Sequence, residues 1–291
     1  MIIALDMDGT LLNSDGQISK RNQTVIKHLQ AQEHLVTIAT GRAYKDVRRQ
    51  LDAANLECPI ISLNGAAITL HDKTLLGSQP LEKHKLTPAL DWVLEQFDLY
   101  CEVYTDDAVY AGLHNLEHLE SIVTKLFEKA DSRQGKEESS DLVKIIQKQF
   151  QQAAVTYIDD ISSIWLQEEQ NIYKVLIFSL NKKMLQAAND KFSEINGVTI
   201  TSSHPNNIEI NNEQATKGLA LMKLAAHQNI DMKDTIVMGD SYNDLSMFAV
   251  AGYAVAMENA APILKENSDF VTKTNDEDGV AVYLETLIEG K

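Results

Sequence analysis

Cysteine is scarce in this chain. Cys58 and Cys101 are the only two among 291 residues, so no disulfide framework staples the fold, and both thiols read as inert. Long hydrophobic runs are missing as well. No stretch approaches the ~18 apolar residues that a membrane-spanning helix needs. The first apolar run, Ile2 to Leu5, stops at Asp6 with no basic segment before it, too short for the apolar region of a signal peptide. Positive charge is deficient: 26 Lys and Arg stand against 42 Asp and Glu, a net charge of -16. With no Lys/Arg block, nucleic acid and anionic membranes are poor partners, because both require a positive face that displaces counterions. An anionic small substrate stays possible if a few Lys/Arg or a bound cation meet it locally. GxSxG, Walker and GxGxxG patterns are absent. The default reading is a soluble cytoplasmic protein; the oligomeric state is left open.

What is present suits a globular enzyme. Hydrophobic residues make up 44% and charged residues 23% of the chain, enough apolar material for a sizeable core. The length fits one large domain or two smaller ones. Short apolar runs repeatedly end at polar or small residues. Ile2–Leu5 ends at Asp6, Leu35–Ala39 at Thr40-Gly41-Arg42, and Pro59–Leu63 at Asn64-Gly65. Ile236–Met238 ends at Gly239-Asp240, and Tyr253–Met257 at Glu258-Asn259. Such runs, without clean alternation, read as strands buried on both faces of a parallel sheet.

Helical patterns lie between them. Ser19 is a natural N-cap for a helix to about Glu33. Lys217 to about Asn229 carries Leu219, Met222, Leu224 and Ala225 as an apolar stripe. Asn243 to Ala251 reads as a helix closed by Gly252, and Pro262 suits the first turn of another. Strands alternating with helices imply a doubly wound α/β sheet, in which ligands bind beyond the C-terminal strand ends.

The middle of the chain differs. Residues 99–113 read as a hairpin around Asp106-Asp107. Helical patterns follow at 114–129 and near 141–153, with a polar loop over 129–141. Further strands are expected at 174–180, 198–201 and 207–210. These imply a separate α+β domain at 85–208, inserted between core segments 1–84 and 209–291. His114 and His118, four apart, lack an HExxH pattern and read as surface residues. Met222, Met247 and Phe248 read as core. Glu137-Glu138 and the acidic run 276–278 read as solvated or near helix starts.

The chemistry concentrates at strand ends. Asp6-Met7-Asp8-Gly9-Thr10 puts two carboxylates after the first strand, with Gly9 permitting a sharp turn. One carboxylate can attack phosphorus while the other handles the leaving group's proton. Gly239-Asp240-Ser241-Tyr242-Asn243-Asp244 adds further carboxylates. Together they are hard oxygen ligands that suit Mg²⁺. Thr40-Gly41-Arg42 offers a hydroxyl, a backbone N–H and a guanidinium to phosphate or substrate oxygens. Lys217 opens a helix, where a cation opposes the dipole, which points to a ligand.

In this order, Asp6-x-Asp8-Gly-Thr, Thr40-Gly-Arg, Lys217 and Gly239-Asp240-x-x-Asn243-Asp244 resemble the four motifs of the haloacid dehalogenase superfamily. The long insert, Asn64-Gly65-Ala66 and the Asp240–Ala260 segment resemble its Cof-type members with a class IIB cap. The resemblance spans essentially the whole chain. It implies a Rossmann-like core with a substrate-selecting α+β cap. Asp6 would be the nucleophile and a Mg²⁺ ligand. Asp8 would be the general acid/base, with its backbone carbonyl on the metal. Asp240 would bind Mg²⁺ directly. Thr40 and Lys217 would hold the phosphoryl group, Asn243 and Asp244 would support the metal and Lys217, and Arg42 and Asn64 would contact substrate. Dehalogenating relatives lack a carboxylate at the Asp8 position, so its presence argues for phosphate esters. The function implied is a Mg²⁺-dependent phosphatase of small phosphorylated metabolites, sugar phosphates first, acting through an aspartyl-phosphate. The alternatives are a phosphomutase or a non-catalytic binding protein on the same scaffold.

Overall fold

The structure, a computed structural model, describes residues 1–113, 155–202, 205–288 and 290. It contains two compact units: Met1–Gln79 with Gln214–Lys291, and Pro80–Glu213. The expectations for 114–129, 129–141 and 141–153, including His114, His118 and Glu137-Glu138, lie outside the described residues.

The core unit opens with β1 (Ile2–Leu5), fully buried. Helix α1 (Lys20–Ala31) starts where the Ser19 hydroxyl accepts the Asn22 N–H at 3.1 Å. Then come β2 (Leu35–Ala39), α2 (Tyr44–Ala53) and β3 (Ile60–Ser62). A hairpin of β4 (Ala67–Thr69) and β5 (Leu75–Ser78) follows, with β4 antiparallel to β3 and β5 antiparallel to β4. That hairpin was not anticipated, because β4 is too short to display alternation.

The inserted unit runs α3 (Lys83–Leu94), β6 (Tyr100–Thr105), β7 (Val109–Gly112), β8 (Val155–Ile158), α4 (Ser162–Leu166), β9 (Ile172–Phe178), α5 (Lys182–Ser193), β10 (Val198–Thr201) and β11 (Asn207–Asn212) among the described residues. Its sheet has the order β10-β11-β9-β6-β7-β8, antiparallel except between β7 and β8. Cys101, Val103, Val175, Ile177, Ile208 and Ile210 share a core with Leu86, Leu90 and Val93 of α3 and Leu185 and Phe192 of α5. Since strand side chains alternate, Tyr100, Glu102 and Tyr104 lie on the opposite face of β6. A domain boundary after residue 208 would cut β11, whose pairing with β9 extends from Asn207 to Asn211. The unit therefore ends at Glu213.

The core resumes with α6 (Lys217–His227), β12 (Thr235–Gly239), α7 (Leu245–Phe248), β13 (Tyr253–Ala256), α8 (Pro262–Glu266), β14 (Phe270–Val271) and α9 (Gly279–Ile288). Its sheet order is β14-β13-β12-β1-β2-β3-β4-β5, parallel from β14 to β3. Strand order reverses between β1 and β12, the switch point where open α/β sheets bind ligands. Asp6 and Asp240 follow those two strands.

Two helical expectations need correction. Asn243–Ala251 is not one helix: a 3₁₀ turn at Tyr242–Asp244 precedes a short α7, and Gly252 is not its cap. The buried face of α6 is Ala220, Leu221, Leu224 and Ala225, whereas Leu219 and Met222 are 38% and 42% exposed. Met222 is thus not core, while Met247 and Phe248 are. No described helix is long and apolar enough to cross a membrane.

Candidate active site

Four strand-end segments converge in the core unit. The chain leaves β1 with the Asp6 N–H donating to the Met238 carbonyl at 3.0 Å, which ties the β1 end to β12. Gly9 then turns with φ +77°, and a Cβ there would stand 2.4 Å from Asp240 Oδ2. Only glycine fits between the two acidic loops. Gly65, at φ +104°, performs a similar service: a Cβ there would lie 2.2 Å from the Thr216 carbonyl, which precedes α6.

Lys217 is the centre of the cluster. Its side chain is 0% exposed, and Nζ donates to Asp6 Oδ1 and Asp244 Oδ1, each at 2.6 Å. Thr216 caps the helix by accepting the Leu219 N–H at 3.2 Å. The conflict between a lysine and the N-terminal end of a helix dipole is therefore settled by two buried carboxylates. Asp244 has its second oxygen committed too: Oδ2 accepts the N–H groups of Asp240 and Ser241, both at 3.0 Å. Asp240 Oδ1 accepts the Thr10 hydroxyl at 3.0 Å.

Carboxylate oxygens of Asp6, Asp240 and Asp244 lie within 4.8 Å of one another. Three carboxylates facing one ammonium leave two negative charges unmatched, the charge of one divalent cation. Burial raises the Asp6 carboxyl well above its ordinary range, against the pull of Lys217 and with Asp244 and Asp240 adding to the rise. Burial, with Asp244 adding, pushes Asp240 up to about 6. Burial works against the charge on Lys217, but Asp244 and Asp6 outweigh it and raise its pKa. The donor set is all oxygen and matches Mg²⁺. Asp6 and Asp240 are the carboxylates with capacity left for a metal; Asp244 has both oxygens occupied and acts as support for Lys217 and the Asp240 loop.

The remaining residues form two further groups. The Asp8 carboxylate is taken up by Arg42, with Nη2 to Oδ1 at 2.5 Å and Nε to Oδ2 at 2.7 Å, and is not among the three converging carboxylates. Asn64, at φ 58°, accepts the Asn243 side-chain N–H at 3.0 Å and lies close to Gly41. Thr40 is buried; its hydroxyl accepts the Arg42 N–H at 3.1 Å and its carbonyl accepts the Asn64 N–H at 2.9 Å. Thr40 thereby joins both groups.

Sequence reasoning passed over several supporting residues. Thr10 sits in plain view within the first motif. Asn259 donates to the Gly9 carbonyl at 2.8 Å, Asn275 donates to the Leu12 carbonyl at 2.8 Å, and Asp276 accepts the Ser14 N–H and hydroxyl at 2.7 and 2.6 Å. These bonds pin the loop after β1 from the far end of the chain. Only the asparagine and aspartate at those turns hinted at them.

The family profile of haloacid dehalogenase-like hydrolases matches residues 3–284. The 5-amino-6-(5-phospho-D-ribitylamino)uracil phosphatase YwtE of Bacillus subtilis is 39% identical over 99% of this chain and 98% of its own length. Phosphatase YwpJ of the same organism is 34% identical over 99% of both chains. Among solved structures, a haloacid dehalogenase-like hydrolase from B. subtilis superposes with a TM-score of 0.80 at 33% identity, covering 98% of this chain and 99% of that one. With three of the motifs at strand ends of a sheet of this topology and Lys217 opening α6 beside them, the chain belongs to the haloacid dehalogenase-like hydrolases, as a Cof-type member.

Proposed function

We propose that this hydrolase is a Mg²⁺-dependent phosphatase of small phosphorylated metabolites, with Asp6 as nucleophile. Sugar phosphates and phosphorylated sugar alcohols are the substrate class, the second because the relative YwtE is named for a phospho-ribityl compound. The inserted unit is assigned the selection of the leaving group. The observation that carries the reading is the buried Lys217 ammonium clamped between Asp6 and Asp244, with Asp240 beside them.

The chemistry follows from these groups. Phosphate monoesters are among the slowest esters to hydrolyse, and a carboxylate nucleophile divides the reaction into two steps. Lys217 holds Asp6 in place and offers positive charge where the phosphoryl oxygens gather. Thr40 would hold the same group. Mg²⁺ held by Asp6, Asp240 and the Asp8 carbonyl would supply the charge that lets an anionic nucleophile approach an anionic ester. Asp8 gives a proton to the leaving oxygen and then takes one from water. Asn243 and Asp244 keep the Asp240 loop and Lys217 in register.

The test is phosphate release from a panel of sugar phosphates, phosphorylated sugar alcohols and nucleotides, with Mg²⁺ and with EDTA, for wild type and Asp6→Asn. Release should need Mg²⁺ and fall on the order of 10⁴-fold or more in the variant, the scale on which removing a nucleophile acts. Release that survives in Asp6→Asn would sink the nucleophile assignment. Isomerisation activated by a sugar bisphosphate, without net release, would instead support a mutase.

A further inference from the structure

The Arg42 fork on Asp8 is two-pronged, Nε to one carboxylate oxygen and Nη2 to the other. Paired N–H bonds from a planar guanidinium fix a carboxylate's orientation as well as its position. The two partners are unequally held. The Arg42 side chain is 15% exposed and that of Asp8 is 49%. The Arg42 backbone is anchored on both sides, by its N–H to Thr40 Oγ1 at 3.1 Å and by its carbonyl accepting the Leu63 N–H at 3.0 Å. Burial opposes the guanidinium's charge, and the bond and field of Asp8, with the fields of Asp46 and Asp6, outweigh it. The arginine is the more buried and more firmly anchored member of the pair.

We propose that Arg42 is a positioning residue for Asp8, setting the efficiency of proton transfer, and not the substrate contact that the motif resemblance implied. The inference rests on the reading of Asp8 as acid/base. In the first step an Asp6 oxygen bonds to phosphorus, the bond from phosphorus to the leaving oxygen breaks, and that oxygen takes the proton carried by Asp8. In the second, a water oxygen bonds to phosphorus, its proton goes to Asp8, and the bond from phosphorus to Asp6 breaks, freeing phosphate. Both transfers pass through one Asp8 oxygen. A fork can open one arm for that transfer while the other arm keeps the carboxyl in place.

A positioning role predicts a particular pattern. Esters with poor leaving groups need the proton, and esters with good ones do not. Arg42→Ala should therefore lower kcat for a sugar phosphate by roughly 10–100-fold, part of the range general acid catalysis covers, and affect p-nitrophenyl phosphate far less. KM should barely move for either ester. Arg42→Lys, which keeps the charge but offers only a single ammonium, should fall between wild type and Arg42→Ala. In an Asp8→Asn background, adding Arg42→Ala should cost nothing further, because a residue acting through another is silent once that other is gone. The proposal is overturned if Arg42→Ala raises KM for both esters with kcat kept, if both lose kcat equally, or if the losses from Asp8→Asn and Arg42→Ala multiply. The Asp6→Asn assay decides the nucleophile independently, so the two readings fail separately.

Discussion

In the core unit, Asp6, Asp244 and Lys217 are buried where strands end. In the inserted unit, Glu102, Glu209 and Lys174 are buried along the middle of strands β6, β11 and β9. The second cluster is met by phenols: Tyr100 and Tyr104 donate to the two Glu102 oxygens at 3.1 and 2.8 Å. Lys174 lies 3.7 Å from Glu209 and 4.2 Å from the centre of the Tyr104 ring. At the strand ends, the groups around the carboxylates are one ammonium, backbone N–H groups and a threonine hydroxyl. Mid-strand positions are held by ladder bonds on both sides, so a carboxylate there is fixed by its sheet. Strand-end carboxylates sit on turns, and it is their mutual contacts that fix them. Buried charge in the middle of the strands is matched by neighbouring phenols and a lysine; at the strand ends three carboxylates share one ammonium and leave an electrostatic imbalance.

The sharpest break in that comparison is Lys217→Met. Losing the one ammonium leaves Asp6 and Asp244 buried and unpaired, which should cost about 3–5 kcal/mol, the penalty for a broken buried pair. Phosphate release should disappear with it. Urea unfolding alongside the Mg²⁺-dependent assay measures both. A variant as stable and active as wild type would mean that the cluster is not organised around Lys217. Next in size is Gly9→Ala. A methyl group 2.4 Å from Asp240 Oδ2 must push that carboxylate aside. A displacement of this order should cost about 10²-fold in turnover, with a raised Mg²⁺ requirement and a retained fold. Unchanged Mg²⁺ titration curves would count against Asp240 as a ligand.

The inserted unit supplies the pH counterpart. Burial raises the Glu102 carboxyl above its ordinary 4.5, against the Tyr104 bond, the field of Lys174 and the Tyr100 bond. From pH 4.5 up to the raised value, the folded protein keeps a proton that the unfolded chain has released. Stability should therefore decline as pH rises through that window. Glu102→Gln removes this titration at the expense of one phenol's acceptor, roughly 1–3 kcal/mol, and should flatten the dependence. Unfolding midpoints followed across that window decide it; an unaltered slope would assign the dependence to other groups.

The contrast also explains what could be read from the sequence. Strand-end chemistry was legible because parallel strands bury a continuous apolar run, and the first polar residue after it stands at the sheet's edge: Asp6, Thr40, Asn64, Asp240. Lys217 was legible through its conflict with the helix dipole. Glu102 was not, since a carboxylate in an alternating strand reads as solvent-facing, whereas here it is 0% exposed. Nor was the Arg42 fork on Asp8, or the hold of Asn259 and Asn275 on Gly9 and Leu12. These contacts join segments far apart in the chain, and no local pattern encodes them. The apolar stripe of α6 was misjudged because Leu219 and Met222 fit helical spacing as well as the residues that are buried.

The smallest expected effect belongs to the fork that most resembles Arg42 on Asp8. Arg21 grips Glu285 with Nε at 2.9 Å and Nη2 at 2.6 Å, joining α1 to α9. The donors and geometry are alike, but the side chains are 46% and 38% exposed, and neither belongs to the phosphate site. Water competes for both groups there, and surface ion pairs contribute at most about 1 kcal/mol. Arg21→Ala should therefore lower stability by no more than that and leave kcat and KM unchanged for sugar phosphate and p-nitrophenyl phosphate alike. Arg42→Ala should show the reverse, a small stability change with a leaving-group-dependent loss of kcat. If Arg21→Ala reproduces that loss, the pattern reports a general loosening of the core and not the placement of a guanidinium beside Asp8.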